Sequence, residues 1–258
     1  MSINQIKYLK KIKRKKMIIS IIQIMLLVLF ILTWELLSNK EIINSFIFSS
    51  PSKIIKCIID LYKNNNLFYH LYITLKEVLI SFILGTAIGF IGAIIFYYVD
   101  ILKKIFDPYL NLLNSLPKVS LGPLLIIWLG ANNKSIIVMS LLINTIVTLI
   151  IIYNGLINTD EYKIKMFKTF KANKLQTLLY LILPTNKETI ISSIKLNISM
   201  SLIGVIMGEF LVSKAGIGYL ILYGTQVFNL NLVMSGIILI MIMSFIIYEI
   251  ISIIEKRA

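Results

Sequence analysis

The chain has 258 residues, 58% of them apolar and 15% charged, and its mean hydropathy is +0.88. A water-soluble domain carries roughly 45–50% apolar and about 25% charged residues, so this composition points to the bilayer as solvent. It disfavours a disordered chain, a secreted disulfide scaffold and a soluble nucleic-acid binder, the last despite a net charge of +14.

Residues 1–16 form a basic segment holding Lys7, Lys10, Lys11, Lys13, Arg14, Lys15 and Lys16. The apolar run that follows, 17–37, is long enough to span a bilayer core, which takes about 20 helical residues. It exceeds the apolar core of a signal peptide and no A-x-A site closes it, so it is expected to remain as an anchor. Residues 38–76 read as an outer loop. Pro51 there stands at a helix start after Ser49 and Ser50, and Ile54, Ile55, Ile58, Ile59 and Tyr62 recur at helical spacing, predicting an amphipathic helix on the membrane surface. The Asn64–Asn66 run then reads as a turn. Cys57 is the single cysteine, and His70 has no second ligand at metal spacing, so neither redox nor metal chemistry is indicated.

Further spans are expected at 78–98, 136–157 and 232–254. The window 190–212 holds Lys195, Asn197 and Glu209 and suits the interior of a bundle better than lipid. Residues 108–130 carry Pro117 and Pro123 and read as a broken or kinked span buried within protein. The result is an all-α membrane protein of about six transmembrane helices, with five as the alternative. Three regions follow: the basic segment 1–16, a first helix and extracytoplasmic loop over 17–77, and a transmembrane core over 78–258.

Lysines cluster on alternate connections, at 1–16, at Lys103 and Lys104, between Lys163 and Lys187, and at Lys256 and Arg257. The positive-inside rule therefore puts these segments, and both termini, in the cytoplasm. Much of the net charge is accounted for by topology and attraction to anionic lipid headgroups, without nucleic acid.

No sequence repeat relates the two halves of the chain, which argues against a transporter of inverted repeats within one polypeptide. There is no G-x-x-x-x-G-K-[ST] or G-x-G-x-x-G, so ATP hydrolysis by this chain is not expected, and no H-E-x-x-H or G-x-S-x-G. No catalytic residue, metal site or bound cofactor is predicted. The pairs Gly85/Gly89 and Gly204/Gly208 match G-x-x-x-G and serve close helix packing, either within the subunit or between copies.

The longest inner connection, 158–188, is patterned. Asn158, Thr159 or Asp160 can cap a helix with Glu161 in its first turn, and Ile164, Phe167 and Phe170 or Lys171 follow at helical intervals. A second helix, Leu175–Leu183, is expected to end before Pro184. Two such helices form either a docking platform or a loop lying on headgroups.

Here the sequence resembles the inner-membrane permease subunits of binding-protein-dependent ABC importers, of the nitrate/sulfonate/taurine type. Lys165, Met166 and Phe167, then Lys171, then Leu183-Pro184 occupy the positions of that family's E-A-A, Gly and Leu-Pro. SLPKVSLGPLLIIWLG (115–130) and GVIMGEFLVSKAGIGYLI (204–221) are similar to its third-span region and its Gly-Glu-Phe and Gly-x-Gly-Tyr-Leu-Ile signature.

The resemblance implies a MetI-like ABC permease bundle with a cytoplasmic coupling helix and two permease copies in the plasma membrane. ABC ATPase subunits, which use ATP and Mg, would lie below, and an extracytoplasmic solute-binding protein above. Ile164, Met166, Phe167 and Phe170 would enter a cleft of the ATPase with Lys163, Lys165, Lys168 and Lys174 at its rim.

The solute would be a sulfonate, a nitrate- or taurine-like anion, or a pyrimidine vitamin precursor. Asn144, Asn197, Ser201 and Glu209 are candidates for its pathway or gate, and Lys195 or Lys118 would suit an anion. Glu209 has a second reading, in which it pairs with Lys214 or caps backbone donors around Gly216 and Gly218. The competing functions are an ATPase-independent channel or secondary carrier and a membrane scaffold or lipid-modifying enzyme.

Overall fold

The computed structural model describes residues 3–64 and 67–257, and among these it is helical with no strand. The expected turn at Asn64–Asn66 falls mostly on Asn65 and Asn66, outside the described residues. The chain divides into two compact units, residues 1–65 with 224–235, and residues 66–223 with 236–258.

In the first unit α1 (Ile3–Asn39) runs without a break from the basic segment through the apolar run. The apolar side chains from Met17 to Leu32 are exposed, as on a helix solvated by lipid. Asn44 caps the short α2 (Ser45–Phe48), its side chain accepting the Phe46 N–H at 2.9 Å. The expected amphipathic helix is α3 (Pro51–Asn64), with Ile54 and Leu61 buried and Ile55, Ile59 and Tyr62 exposed. Its first turn is pinned to α1 by Glu35, which accepts from the Ser52 N–H at 3.0 Å and the Ser52 hydroxyl at 2.8 Å.

The second unit opens with α4 (Leu67–Tyr98), which starts well before residue 78. The expected region boundary at 77/78 therefore lies inside a helix. Thr74, Lys76 and Glu77 interrupt the apolar run in sequence, but Thr74 and Glu77 are buried against protein, so lipid does not meet them.

The expected broken or kinked span at 108–130 is broken: it consists of two helices, α5 (Asp100–Ser115), which begins before residue 108, and α6 (Gly122–Leu129), joined through a 3-10 turn at Lys118–Leu121 and bent by 89°. Leu116, ahead of Pro117, is extended at φ −63°, ψ 138°, and Pro123 sits in the first turn of α6, where its missing N–H costs nothing. Ile101, Ile105, Tyr109, Leu112, Ile127 and Trp128 are exposed, so this pair is not buried within its own chain.

The core of the unit is three helices, α4, α7 (Asn133–Ile157) and α11 (Lys187–Val212), packed on one another. Both G-x-x-x-G pairs face α7: a Cβ on Gly89 would stand 2.8 Å from Thr148, and one on Gly208 would stand 2.9 Å from the Ile136 Cα. These glycines serve packing within the subunit. Between α7 and α11 the chain forms α8 (Glu161–Thr169), α9 (Lys174–Thr177), a π turn (Leu178–Ile182) and α10 (Leu183–Thr185). After α11 come α12 (Ile217–Gln226) and α13 (Leu230–Arg257). Among the described residues five helices are long and apolar enough to cross a membrane, or six if the bent α5–α6 pair counts as one span.

Candidate functional site

The segment between α7 and α11 is built as an anchored platform. Asp160 caps α8 by accepting the Tyr162 N–H at 2.8 Å, and Asn173 and Gln176 form a reciprocal capping box at the start of α9. The Asn186 amide donates to Thr159 at 2.7 Å and to the Ile182 carbonyl at 2.9 Å, tying the two ends of the segment together.

The inward face consists of Ile164, Phe167, Leu178, Leu181, Ile182 and Leu183, which pack on Ala93, Ile152, Tyr153 and Leu156 at the ends of α4 and α7. The outward face exposes Tyr162, Met166, Phe170, Leu175, Leu179 and Tyr180. Of the four apolar side chains expected outside, Met166 and Phe170 are exposed, while Ile164 and Phe167 turn into the subunit. Helical spacing marks an amphipathic face but leaves open which partner it meets, and here the unit's own core takes it.

Lys163, Lys165, Lys168 and Lys174 stand on the exposed rim, with Lys165 paired to Glu161 at 3.2 Å. The second helix does not stop before Pro184. The wider π turn carries the chain through to Thr185, with Pro184 in the first turn of α10.

Lys171 occupies the position at which the resembled motif has Gly, and its φ is +58°. Its N–H bonds the Lys168 carbonyl at 2.9 Å and the Ala172 N–H bonds the Phe167 carbonyl at 3.2 Å, which closes α8 with a left-handed residue just past its end. Glycine enters this conformation freely, whereas lysine holds it against a steric cost.

Asn144, Asn197 and Ser201 lie between α4, α7 and α11, each at most 1% exposed. The Asn144 amide donates to the Ser81 carbonyl at 3.0 Å and to the Ser201 hydroxyl at 2.7 Å, and the Asn197 amide donates to Thr86 at 2.6 Å. Gly85 leaves the space that Asn144 fills. The cluster bonds three helices to one another. Lys195 sits elsewhere, paired with Glu255 of α13 and with its ammonium 5.6 Å from the Tyr248 ring centre, so its charge is already compensated. Lys118 is half-buried in the 3-10 turn, 3.3 Å from the Asn114 side-chain oxygen.

Glu209 ends α11 fully buried. It accepts from the Thr74 hydroxyl at 2.7 Å and the Gly218 N–H at 2.6 Å, and the Tyr219 N–H reaches it as well. Thr74 in turn accepts the Ile217 N–H at 2.8 Å, and His70 Nδ1 accepts the Gly216 N–H at 3.0 Å. Side chains thus take up the backbone donors at the start of α12, which a helix leaves unpaired. Gly216 is at φ +114°, and a Cβ there would run into the Glu209 carboxyl, so only glycine fits. Glu209 is a cap for Gly218 and its neighbour; Lys214 is exposed, and among the described residues no ion pair joins it to Glu209.

Thr74, Glu77 and Ser81 on α4 are not singled out by sequence, although the signal is there. His70, Thr74, Glu77, Ser81, Gly85 and Gly89 recur at helical spacing in an otherwise apolar helix, marking one polar, small-residue face.

A helical membrane bundle with a polar, glycine-packed three-helix core and an anchored amphipathic segment outside it is the design of a transporter's membrane subunit. The family described as "Binding-protein-dependent transport system inner membrane component" matches residues 85–258, and the chain belongs to it. It is 26% identical to a probable ABC transporter permease protein of Haemophilus influenzae, over 84% of this chain and 88% of that one. It is 25% identical to the putative aliphatic sulfonates transport permease protein SsuC of Bacillus subtilis, over 80% and 75%, and 25% identical to the formylaminopyrimidine transport permease protein ThiX of Halalkalibacterium halodurans, over 72% and 74%. Its fold matches a chain of the inward-facing MetNI methionine ABC transporter with a TM-score of 0.62 at 15% identity, covering 75% of this chain and 98% of that one. The protein is a permease subunit of an ABC importer, with a MetI-like bundle.

Proposed function

We propose that this chain moves a small polar or anionic organic solute inward by alternating access, powered by ATP hydrolysis on a separate ATPase subunit that engages the α8–α10 segment. The observation that carries this is the two-sided segment itself: Ile164, Phe167, Leu178, Leu181, Ile182 and Leu183 fasten it to α4 and α7, while Tyr162, Met166, Phe170 and Tyr180 present an apolar surface ringed by lysines. Force applied at the outer face would reach the core helices through the inner one. The solute class follows the sulfonate and formylaminopyrimidine relatives and a taurine transport permease, TauC of Escherichia coli, 18% identical over 85% of this chain and 82% of that one.

A solute-binding protein on the outer side delivers the solute. Two copies form the pathway, to which the exposed faces of α5 and α6 contribute, with both termini in the cytoplasm. Asn144, Asn197 and Ser201 brace the bundle, and Gly216, Gly218 and Glu209 set the α11–α12 corner. ATP and Mg belong to the ATPase; this chain supplies the docking surface and no catalytic group.

Reconstitution with an ABC ATPase and a solute-binding protein that co-purify with this chain tests the reading. ATP hydrolysis stimulated by the loaded solute-binding protein is expected, and its loss in a Met166→Asp/Phe170→Asp variant. Uptake that proceeds without any ATPase would support a secondary carrier instead.

A further inference from the structure

Glu209 does not stand alone at the α11–α12 corner. Glu77, on the face of α4 that carries Thr74, is 3% exposed, and it meets the Glu209 carboxyl. The two acids are served very differently. Glu209 receives the Thr74 hydroxyl and the Gly218 and Tyr219 N–H groups, a full set of donors for an ionised carboxylate. Glu77 receives none: both of its oxygens are buried without a hydrogen-bond partner, and so is the hydroxyl of Ser81 one helical turn further along the same face.

A second ionised carboxylate in that position would be desolvated, unbonded and beside a like charge, the most costly arrangement available to it. A carboxylic acid has an O–H to give, and an ionised Glu209 keeps acceptor capacity beyond the donors it already takes.

We propose that Glu77 and Glu209 form a proton-binding site, in which one proton from solvent is held on Glu77 and donated to the Glu209 carboxylate. The O–H of Glu77 bonds a Glu209 oxygen, and the pair carries a single negative charge. Few other titratable groups surround it. On α4 they are His70, whose Nδ1 is committed to the Gly216 N–H, and Lys76, which is exposed and attracts Glu77. On α12 there are Tyr219, stacked on His70 at 6.1 Å, and Tyr223, stacked on Tyr219 at 6.0 Å, and in the preceding turn the exposed Lys214. From α7 comes Lys134, itself exposed, in the first turn; α6 carries no titratable side chain, and α11 none but Glu209 in its C-terminal half.

A metal ion is the weaker occupant, since it needs several oxygen ligands and Glu209 spends its own on N–H and O–H donors. With the proton in place the pair clasps α4 to the α11–α12 corner; without it two like charges press them apart. The site rests on this corner alone and is independent of the solute and the ATPase assigned above.

The test uses the full-length protein in lipid nanodiscs. Infrared spectroscopy at neutral pH should show the C=O stretch of a buried carboxylic acid, and the band should vanish in Glu77→Gln, whose amide still donates to Glu209 and keeps the fold. Because the folded state binds the extra proton, thermal stability should fall as pH rises in the wild type. That fall should be lost in Glu77→Gln, and exchanging sodium for choline should change neither result. Absence of the band from the wild type, pH profiles that coincide for wild type and Glu77→Gln, or a band that disappears on adding sodium would each overturn the proposal, the last by showing a metal ion in the proton's place.

Discussion

The Thr74 hydroxyl on α4 and the Glu209 carboxylate on α11 are joined by a 2.7 Å hydrogen bond while the same hydroxyl oxygen accepts the Ile217 N–H at 2.8 Å. One small side chain therefore holds a second helix and the start of a third. Replacing it with the near-isosteric valine removes a donor from a buried carboxylate and strands a buried N–H. Thr74→Val is expected to cost about 2–6 kcal/mol, since each buried group left unsatisfied costs about 1–3 kcal/mol. Thr74→Ser, which keeps the hydroxyl, should stay within about 1 kcal/mol of the wild type on the same scale. Denaturant unfolding in mixed micelles compares the three proteins.

At the end of α8, Lys171 holds a left-handed backbone conformation at φ +58°. A β-carbon there costs about 1 kcal/mol, so Lys171→Gly should stabilise the segment by about that amount, offset in part by the greater freedom of glycine in the unfolded chain. Lys171→Val, β-branched, should destabilise it. Hydrogen exchange of the α8 amides reads both directions: slower in the glycine variant, faster in the valine variant.

The close approach of α11 to α7 depends on Gly208, where a Cβ would lie 2.9 Å from the Ile136 Cα. Backbone cannot give way as a side chain tip can, so Gly208→Val should separate the helices and cost about 1–3 kcal/mol or more. A lower yield of monodisperse protein and a lower thermal midpoint are expected, whereas Leu211→Val, at an exposed position on the same helix, should change neither.

The two faces of the α8–α10 segment should respond oppositely to charge. Phe170 is 76% exposed and Phe167 is packed inward, so Phe170→Asp should leave stability near the wild type while Phe167→Asp should loosen the whole segment. Limited proteolysis within 158–187 distinguishes them, with rapid cleavage expected of Phe167→Asp alone.

These contrasts also show where sequence was informative. Runs such as 17–37, 136–157 and 232–254 are recognisable because a helix facing lipid over much of its surface must be apolar nearly all round, so composition alone reports it. The start of α4 is hidden because Thr74 and Glu77 face protein, and hydropathy does not separate a polar residue in water from one buried among partners. The direction of Ile164 and Phe167 was ambiguous for a related reason: periodicity finds an apolar face, but its neighbour is set by tertiary packing on Ile152 and Leu156. The bend at Pro117 was visible, though not its 89° angle. Glu209 was conspicuous as a carboxylate in a span, but its role as a cap needed Gly216 and Gly218 brought back beneath it.

In the proposed mechanism this subunit works by docking an ATPase on the α8–α10 segment. Purifying the tagged chain from its native membranes in mild detergent and determining the composition and stoichiometry of what accompanies it by mass spectrometry tests that most directly. An ATPase subunit in a near one-to-one ratio with this chain is expected, and its loss in the Met166→Asp/Phe170→Asp variant. A homo-oligomer free of any ATPase, under conditions that keep other ABC importers of the same membranes intact, would contradict it.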